Sequence, residues 1–120
     1  MVEIARLRAL ALGLPDAHDE SGSDRLNFSV GGKGFAWTYT ARSAPKKPRL
    51  PQIDVLAVRC PIERKQMLIE VAPDIFFDDD HYRGYPAVLV RLARVDEAEL
   101  AALLESARRL QAPKRRPRKA

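Results

Sequence analysis

Apolar side chains recur at helical spacing near both ends of the chain. The N-terminal set is Ile4, Leu7, Ala11 and Leu14, and the C-terminal set is Leu100, Leu103, Leu104, Ala107 and Leu110. Steps of three and four residues predict helices over residues 2–12 and from Asp96 to before Pro113. Asp96 and Glu99 have the spacing of a capping box. A third helix is predicted over residues 62–71, because Pro61 suits a first helical turn.

Alternating apolar and polar residues flank Gly31 and Gly32. The apolar positions are Leu26, Phe28 and Val30 before the glycines and Phe35, Trp37 and Tyr39 after them. Two glycines supply the positive φ angles of a primed turn, so a β-hairpin is predicted. Its expected cross-strand pairs are Val30 with Lys33, Phe28 with Phe35, and Leu26 with Trp37. Both aromatic pairs then lie on one buried face, and these rings are expected in the core rather than on a stacking platform.

Three further strands are predicted after the hairpin. Residues 53–59 form an almost continuous apolar run, which is typical of a central strand covered on both faces. Residues 75–77 are a short strand candidate, and residues 87–92 alternate like a strand. Residues 42–52 are basic and hold three prolines, Pro45, Pro48 and Pro51. Because proline has no N–H to donate, this stretch is expected to be an exposed basic loop without regular pairing.

The order of elements predicts an α+β domain. An antiparallel sheet would be covered on one face by the N- and C-terminal helices, with a further helix in the middle of the chain and the other face partly exposed. Residues 1–112 are expected to form this single domain, and residues 113–120 a basic, disordered tail. Five of the 21 Lys and Arg residues lie in that tail, which leaves 16 basic against 16 acidic residues, so the body is neutral.

Composition narrows the class of protein. No apolar run approaches the roughly 18 residues of a membrane span, and the start of the chain lacks a secretory pattern. The single cysteine, Cys60, cannot form an internal disulfide, which fits a reducing compartment. A cytoplasmic protein without membrane contact is therefore expected, with a monomer as the starting assumption.

Three segments in order carry a resemblance to a known family. They are Leu12-Gly13-Leu14-Pro15, the hairpin around Gly31-Gly32-Lys33, and His81-Tyr82-Arg83-Gly84-Tyr85-Pro86 before Val88-Leu89-Val90. Over roughly residues 2–114 the chain resembles the MmcQ/YjbR family. The resemblance implies a frataxin-like (CyaY-like) two-layer α+β fold and DNA binding through a double-wing arrangement of β elements, with no established reaction. One wing would use the hairpin tip, and the other would use the segment from His81 to Tyr85.

Basic and aromatic residues make nucleic acid the favoured partner. Lys and Arg neutralise phosphates, and aromatic rings stack on unpaired bases. The residues expected to contact DNA are Lys33, Arg42, Lys46, Lys47, Arg49, His81, Tyr82, Arg83 and Tyr85. An acidic protein partner would also suit these charges, so a protein-interaction or regulatory adaptor is the alternative.

The sequence shows no catalytic constellation. Asp78, Asp79, Asp80 and His81 offer metal ligands, but consecutive carboxylates rarely converge on one ion. Cys60 and His81 would act as nucleophile and base only if the fold brought them together. We therefore expect a non-enzymatic binding module without metal or cofactor, and an unrecognised enzyme is the remaining alternative.

Overall fold

The computed structural model describes residues 2–42 and 44–113. They form an α+β domain whose paired strands are all antiparallel. The strands are β1 (Ala17–Asp19), β2 (Asn27–Val30), β3 (Lys33–Ala41), β4 (Leu50–Arg59), β5 (Phe76–Phe77) and β6 (Ala87–Arg91), in the sheet order β1-β2-β3-β4-β6-β5. The helices are α1 (Ile4–Leu12), α2 (Ile62–Val71) and α3 (Glu97–Gln111). The predicted fold class is confirmed, while the tail predicted over residues 113–120 lies, from residue 114 onward, outside the described residues.

One side of the sheet packs against the helices and forms the main core. Leu7 of α1 and Leu104 of α3 are fully buried there against Phe28, Val58 and Val88 of the strands. Helix α2 reaches the same core through partly buried side chains. The predicted amphipathic faces of both terminal helices therefore do cover one face of the sheet.

The helices begin and end close to the predicted positions. Asp96 is the N-cap of α3, but its carboxylate accepts from the backbone N–H of Ala98 at 3.1 Å, not from that of Glu99 as a capping box requires. The capping-box prediction is therefore wrong in its partner, although the cap itself is present. In the described part of the chain, no helix is long and apolar enough to cross a membrane.

A β-bulge changes the register of the β2–β3 hairpin. The observed pairs are Val30 with Lys33, Ser29 with Gly34, Phe28 with Ala36, and Asn27 with Trp37. The first predicted pair is confirmed, whereas the predicted pairs of Phe28 with Phe35 and Leu26 with Trp37 are wrong. An irregularity between Phe28 and Ser29 shifts the alternation of side chains. Phe35 stays in the main core, while Trp37 turns to the other side of the sheet.

Strand β4 begins earlier than the sequence predicted. Residues 50–52 pair with β3, so the basic loop spans residues 42–49 only. Pro51 lacks a backbone N–H, but β6 pairs with β4 only from Val55 onward. At Pro51, no described strand on the β6 side of β4 therefore requires a hydrogen bond from a backbone N–H. A register shift before Leu56 leaves Ile53 exposed. The apolar run is therefore covered only in its second half, and not from residue 53 as predicted.

The segment of residues 78–86, which connects β5 to β6, lies on the second side of the sheet. A small cluster forms there around the buried residues Ala57, Tyr82 and Leu89, with Trp37 and Phe77 packed against it. This second side is therefore covered in part, and the uncovered part is where a site can form.

Candidate functional site

Tyr82 is a buried residue of the small cluster on the second side of the sheet. Its ring is 7% exposed, and its hydroxyl accepts a hydrogen bond of 2.9 Å from the indole Nε1 of Trp37. Its backbone N–H donates to the Asp79 carboxylate at 2.8 Å, which fixes the turn before it. The Tyr82 side chain is therefore mostly buried and supports Trp37, although part of it still lines the groove described below.

Lys65 anchors the segment of residues 78–86 to helix α2. Its side chain is 3% exposed, and its Nζ lies 2.7 Å from the Tyr82 carbonyl oxygen, 3.0 Å from the Tyr85 carbonyl oxygen and 3.0 Å from Asp78 Oδ1. An ammonium group has three donors, so all three are used. Lys65 thereby positions the backbone that carries Tyr82 and Tyr85.

A second tyrosine binds the same segment from β3. The hydroxyl of Tyr39 donates to the Asp79 carboxylate. Burial and this hydrogen bond raise the pKa of Tyr39 to about 12. Burial also raises the pKa of Tyr82. Both phenols therefore keep their protons at neutral pH, and neither supplies a negative charge to this side of the sheet.

An open groove of about 700 Å³ lies beside this segment. Arg59 lines this groove, and its guanidinium carbon is 4.7 Å from the ring centroid of Tyr85 and 5.9 Å from that of Trp37. The Nε of Arg59 is buried and has no hydrogen-bond partner among the described residues. A stacked guanidinium of this kind is held in place while its remaining N–H donors stay available.

The rim of the groove is basic. Lys33 and Arg25 join Arg59 in its lining, and the lining side chains found in the described part of the chain include no carboxylate. Arg25 pairs with Asp24 at 3.2 Å just outside. Arg49 donates to the side-chain oxygen of Thr40, another lining residue, at 3.1 Å, so a further cation borders the groove.

Some of the residues that the sequence singled out meet at this groove and others do not. Lys33, Tyr82 and Tyr85 line it, and Arg49 borders it. The remaining members of the predicted set are Arg42, Lys46, Lys47, His81 and Arg83. Three of them are exposed in the basic loop at the far end of β3, roughly 27 Å from Lys33 at the usual rise of a strand. These three cations lie outside the lining of the groove, although Arg49 of the same loop borders it.

The other two predicted contacts lie at the edge of the site. His81 is exposed, packs edge-on against Tyr82, and lines a smaller hollow with Trp37 and Tyr85. Arg83 pairs with Asp80 at 2.7 Å, with both side chains largely exposed. Arg83 is not among the residues that line the groove.

Sequence reasoning missed Trp37 and Arg59 as site residues. Trp37 was assigned to the core because the bulge was not foreseen, and Arg59 is only the last residue of an apolar strand. The sequence did hold one signal for this site, because Ala57 and Ala87 are small and lie next to Arg59 in the sheet. Small residues there leave room for larger side chains to pack over the sheet. This signal could be used only with the correct strand order.

The cysteine and acidic alternatives find little support in the geometry. Cys60 is buried in the main core, where burial raises the pKa of its thiol, while His81 is exposed on the second side. Across residues 2–42 and 44–113, no three His, Cys, Asp or Glu side chains gather as a metal site would require. Among the described residues, the groove is therefore the better candidate for a functional site.

The geometry defines a small α+β domain with a basic, aromatic groove on its sheet. The YjbR family model matches residues 12–110, and the chain belongs to the YjbR family. The family resemblance seen in the sequence is thereby confirmed. Two mycobacterial relatives, uncharacterized protein Rv2570 of Mycobacterium tuberculosis and uncharacterized protein Mb2600 of Mycobacterium bovis, are each 35% identical over 109 residues, which is 85% of this chain and 82% of the relative.

A solved structure shares the fold. It is the crystal structure of Deinococcus radiodurans protein DR2400, whose domain is described as DUF419. It matches with a TM-score of 0.65 at 22% identity, over 89% of this chain and 76% of the other chain. At that identity the likeness supports the arrangement of the sheet and helices alone.

Proposed function

We propose that this protein is a nucleic-acid-binding module, with DNA as the expected ligand and with no chemical conversion of its own. The observation that carries the proposal is Arg59, stacked on Tyr85 and Trp37 with a buried Nε that has no partner in the described part of the chain. The guanidinium of Arg59 also lines the groove, so an anionic ligand there would supply acceptors to the N–H groups that face it.

A phosphate backbone fits the charges around Arg59. Lys33 and Arg25 line the same groove, and Arg49 borders it through Thr40. Each cation that neutralises a phosphate releases counterions, so binding should weaken as the salt concentration rises. The described lining offers no carboxylate to repel a phosphate.

The test compares two substitutions that remove the same charge. Arg59→Gln removes the stacked guanidinium, whereas Arg94→Gln removes an exposed cation in the turn after β6. Both variants keep the basic C-terminal residues, so any non-specific affinity from these is common to them. We expect Arg59→Gln to lower the affinity for a fluorescent DNA strand about tenfold, which corresponds to the loss of one charge-assisted contact.

Fluorescence anisotropy at low and at physiological salt measures both affinities. Arg94→Gln is expected to stay within about twofold of the parent chain, because an exposed distant charge is screened. Equal affinities of Arg59→Gln and Arg94→Gln would show that the groove is not the site. Absence of binding by the parent chain at low salt would refute the function itself.

A protein-interaction adaptor is the second candidate, and a surface of exposed lysines beside exposed apolar side chains at the basic loop favours it. Lys46 and Lys47 are exposed there, and the nearby apolar side chains of Leu50 and Ile53 are at least half exposed. Such a surface suits an acidic, amphipathic protein segment. If Lys46→Glu with Lys47→Glu abolishes a co-purifying complex while DNA affinity is retained, the loop binds protein. Loss of DNA affinity instead would assign the loop to nucleic acid.

A further inference from the structure

The aromatic side chains of the groove are arranged to meet a planar group. Trp37 and Tyr85 contact each other edge to face, with ring centroids 6.5 Å apart and planes at 75°. Tyr85 is 37% exposed, and Arg59 lies over its ring. Both aromatic rings and guanidinium planes stack on unpaired bases. A planar group that enters the groove therefore meets two surfaces of the kind that bind nucleobases.

Side-chain amides complete the same groove. Gln111 at the end of α3 donates to the carbonyl oxygen of Gly34 at 3.1 Å, which fixes its orientation, and its amide oxygen has no hydrogen-bond partner among the described residues. Asn27 of β2 also lines the groove. Amides carry both donors and acceptors, as the pairing edges of bases do. In a duplex those edges are already hydrogen-bonded to the partner strand.

The recessed position of these groups disfavours a duplex. Trp37 is largely covered by its neighbours, and a volume of about 700 Å³ is in the range of sites that enclose a drug-sized molecule, which is the size of a nucleotide. Base faces in a duplex are hidden within the stack, so they cannot reach a recessed ring without being flipped out.

These observations together specify the form of the ligand. We infer that the groove binds an unpaired nucleic-acid strand, with a base stacked on the ring of Tyr85 and meeting Trp37 edge to face, and with an adjacent phosphate held by Arg59. The inference rests on the proposed nucleic-acid function and adds the strandedness of the ligand. It also adds Trp37 to the ligand contacts, whereas Tyr85 was already expected to contact DNA from the sequence.

The test uses Trp37 as its own probe, because it is the only tryptophan of the chain. Three ligands of equal length are titrated into the full chain at low salt: a single strand, its duplex with the complementary strand, and a single strand of abasic nucleotides. Stacking predicts quenching of the Trp37 fluorescence by the single strand. It also predicts that both other ligands bind at least about tenfold more weakly, since stacking of a base contributes affinity that phosphates alone do not.

Substitutions at Tyr85 separate stacking from folding. Tyr85→Ala is expected to weaken single-strand binding about tenfold, and Tyr85→Phe to recover most of it because the ring is restored. Near-ultraviolet circular dichroism confirms that both variants are folded. Arg94→Gln serves as the unaffected control.

The outcomes distinguish this inference from the function on which it rests. Duplex binding as tight as single-strand binding, or equal binding of the abasic strand, would overturn the inference while leaving a phosphate-binding protein. Single-strand binding without a change in Trp37 fluorescence would likewise exclude stacking in the groove. Failure of all three ligands to bind would refute the proposed function as well.

Discussion

Lys65 shows how one buried charge can organise a surface loop. Its ammonium group is surrounded by two carbonyl oxygens and the Asp78 carboxylate, all within 3.0 Å. A charged group is stable inside a protein only when it is paired and hydrogen-bonded in this way. The position of Tyr85 at the groove therefore depends on a lysine in a different element.

Lys65→Met is expected to reduce the free energy of unfolding by about 2 kcal/mol, because it leaves two carbonyl oxygens and a carboxylate without their donor. Asp78 is partly exposed and can recover some hydration, which limits the loss. Urea denaturation measures the difference. Lys47→Met, at an exposed position, should change the free energy by no more than about 0.5 kcal/mol. Equal stability of the two variants would contradict the anchoring role.

Tyr39 makes stability depend on alkaline pH. The unfolded chain releases the phenolic proton near the ordinary pKa of 10.0, whereas the folded chain keeps it until about 12. Between these values the unfolded state binds fewer protons, so the free energy of unfolding falls as the pH rises. The stabilising contribution is complete below pH 10 and is lost as the pH passes through the folded pKa.

Tyr39→Phe is therefore expected to flatten the fall in stability above pH 10, as measured by urea denaturation at a series of alkaline pH values. Below that pH the substitution lowers stability by a constant amount, because it removes the hydrogen bond to Asp79. The slope and the offset thus report on different effects. An unchanged slope would show that the phenol does not keep its proton in the folded state.

At the scale of elements, the β2–β3 hairpin decides which side chains reach the groove. Its turn glycines have φ angles of +56° at Gly31 and +79° at Gly32, as a primed turn requires. The bulge that follows places Trp37 on the groove side, with Lys33 next to the turn. A hairpin without the bulge would bury Trp37 in the main core and leave Arg59 without that ring.

The two glycines provide a matched pair of substitutions. Gly32→Ala is expected to lower the free energy of unfolding by about 1 kcal/mol, because alanine is strained at positive φ. This strain is the whole effect, since a Cβ at this position would have no other atom within 4 Å. Gly31→Ala should cost more, since its Cβ would lie 2.8 Å from the ring of Pro113. Thermal or urea denaturation measures both. Equal costs would mean that the contact with Pro113 does not constrain the turn.

At the scale of the whole molecule, the groove is assembled from elements far apart in the sequence. Lys33 and Trp37 come from β3, Arg59 from β4, Tyr85 from the segment before β6, and Gln111 from the end of α3. Four of the predicted contacts lie in or beside this groove. Arg42, Lys46 and Lys47 of the basic loop lie beyond the far end of β3 from the hairpin tip, by far more than a Debye length at physiological salt, whereas Arg49 of the same loop borders the groove.

The sequence alone determined the class of fold, the existence of the main elements and the family. Periodic apolar residues report which face of a helix or strand is buried, and that information is local, so α1, α3 and β6 formed where their patterns predicted. The turn at Gly31 and Gly32 was equally readable, because its chemistry resides in two adjacent residues.

Only the tertiary structure decided the site. The bulge that moves Trp37 to the second side of the sheet cannot be recognised from the order of apolar residues. Phe35 and Ala36 are adjacent and both apolar and buried, so the sequence does not show where the alternation shifts. The burial of Lys65 and the stacking of Arg59 on Tyr85 depend on which strands are neighbours, and local periodicity does not specify neighbours. Contacts between residues distant in sequence therefore form the groove. Taken singly, its side chains have the pattern of core residues or of solvated surface residues.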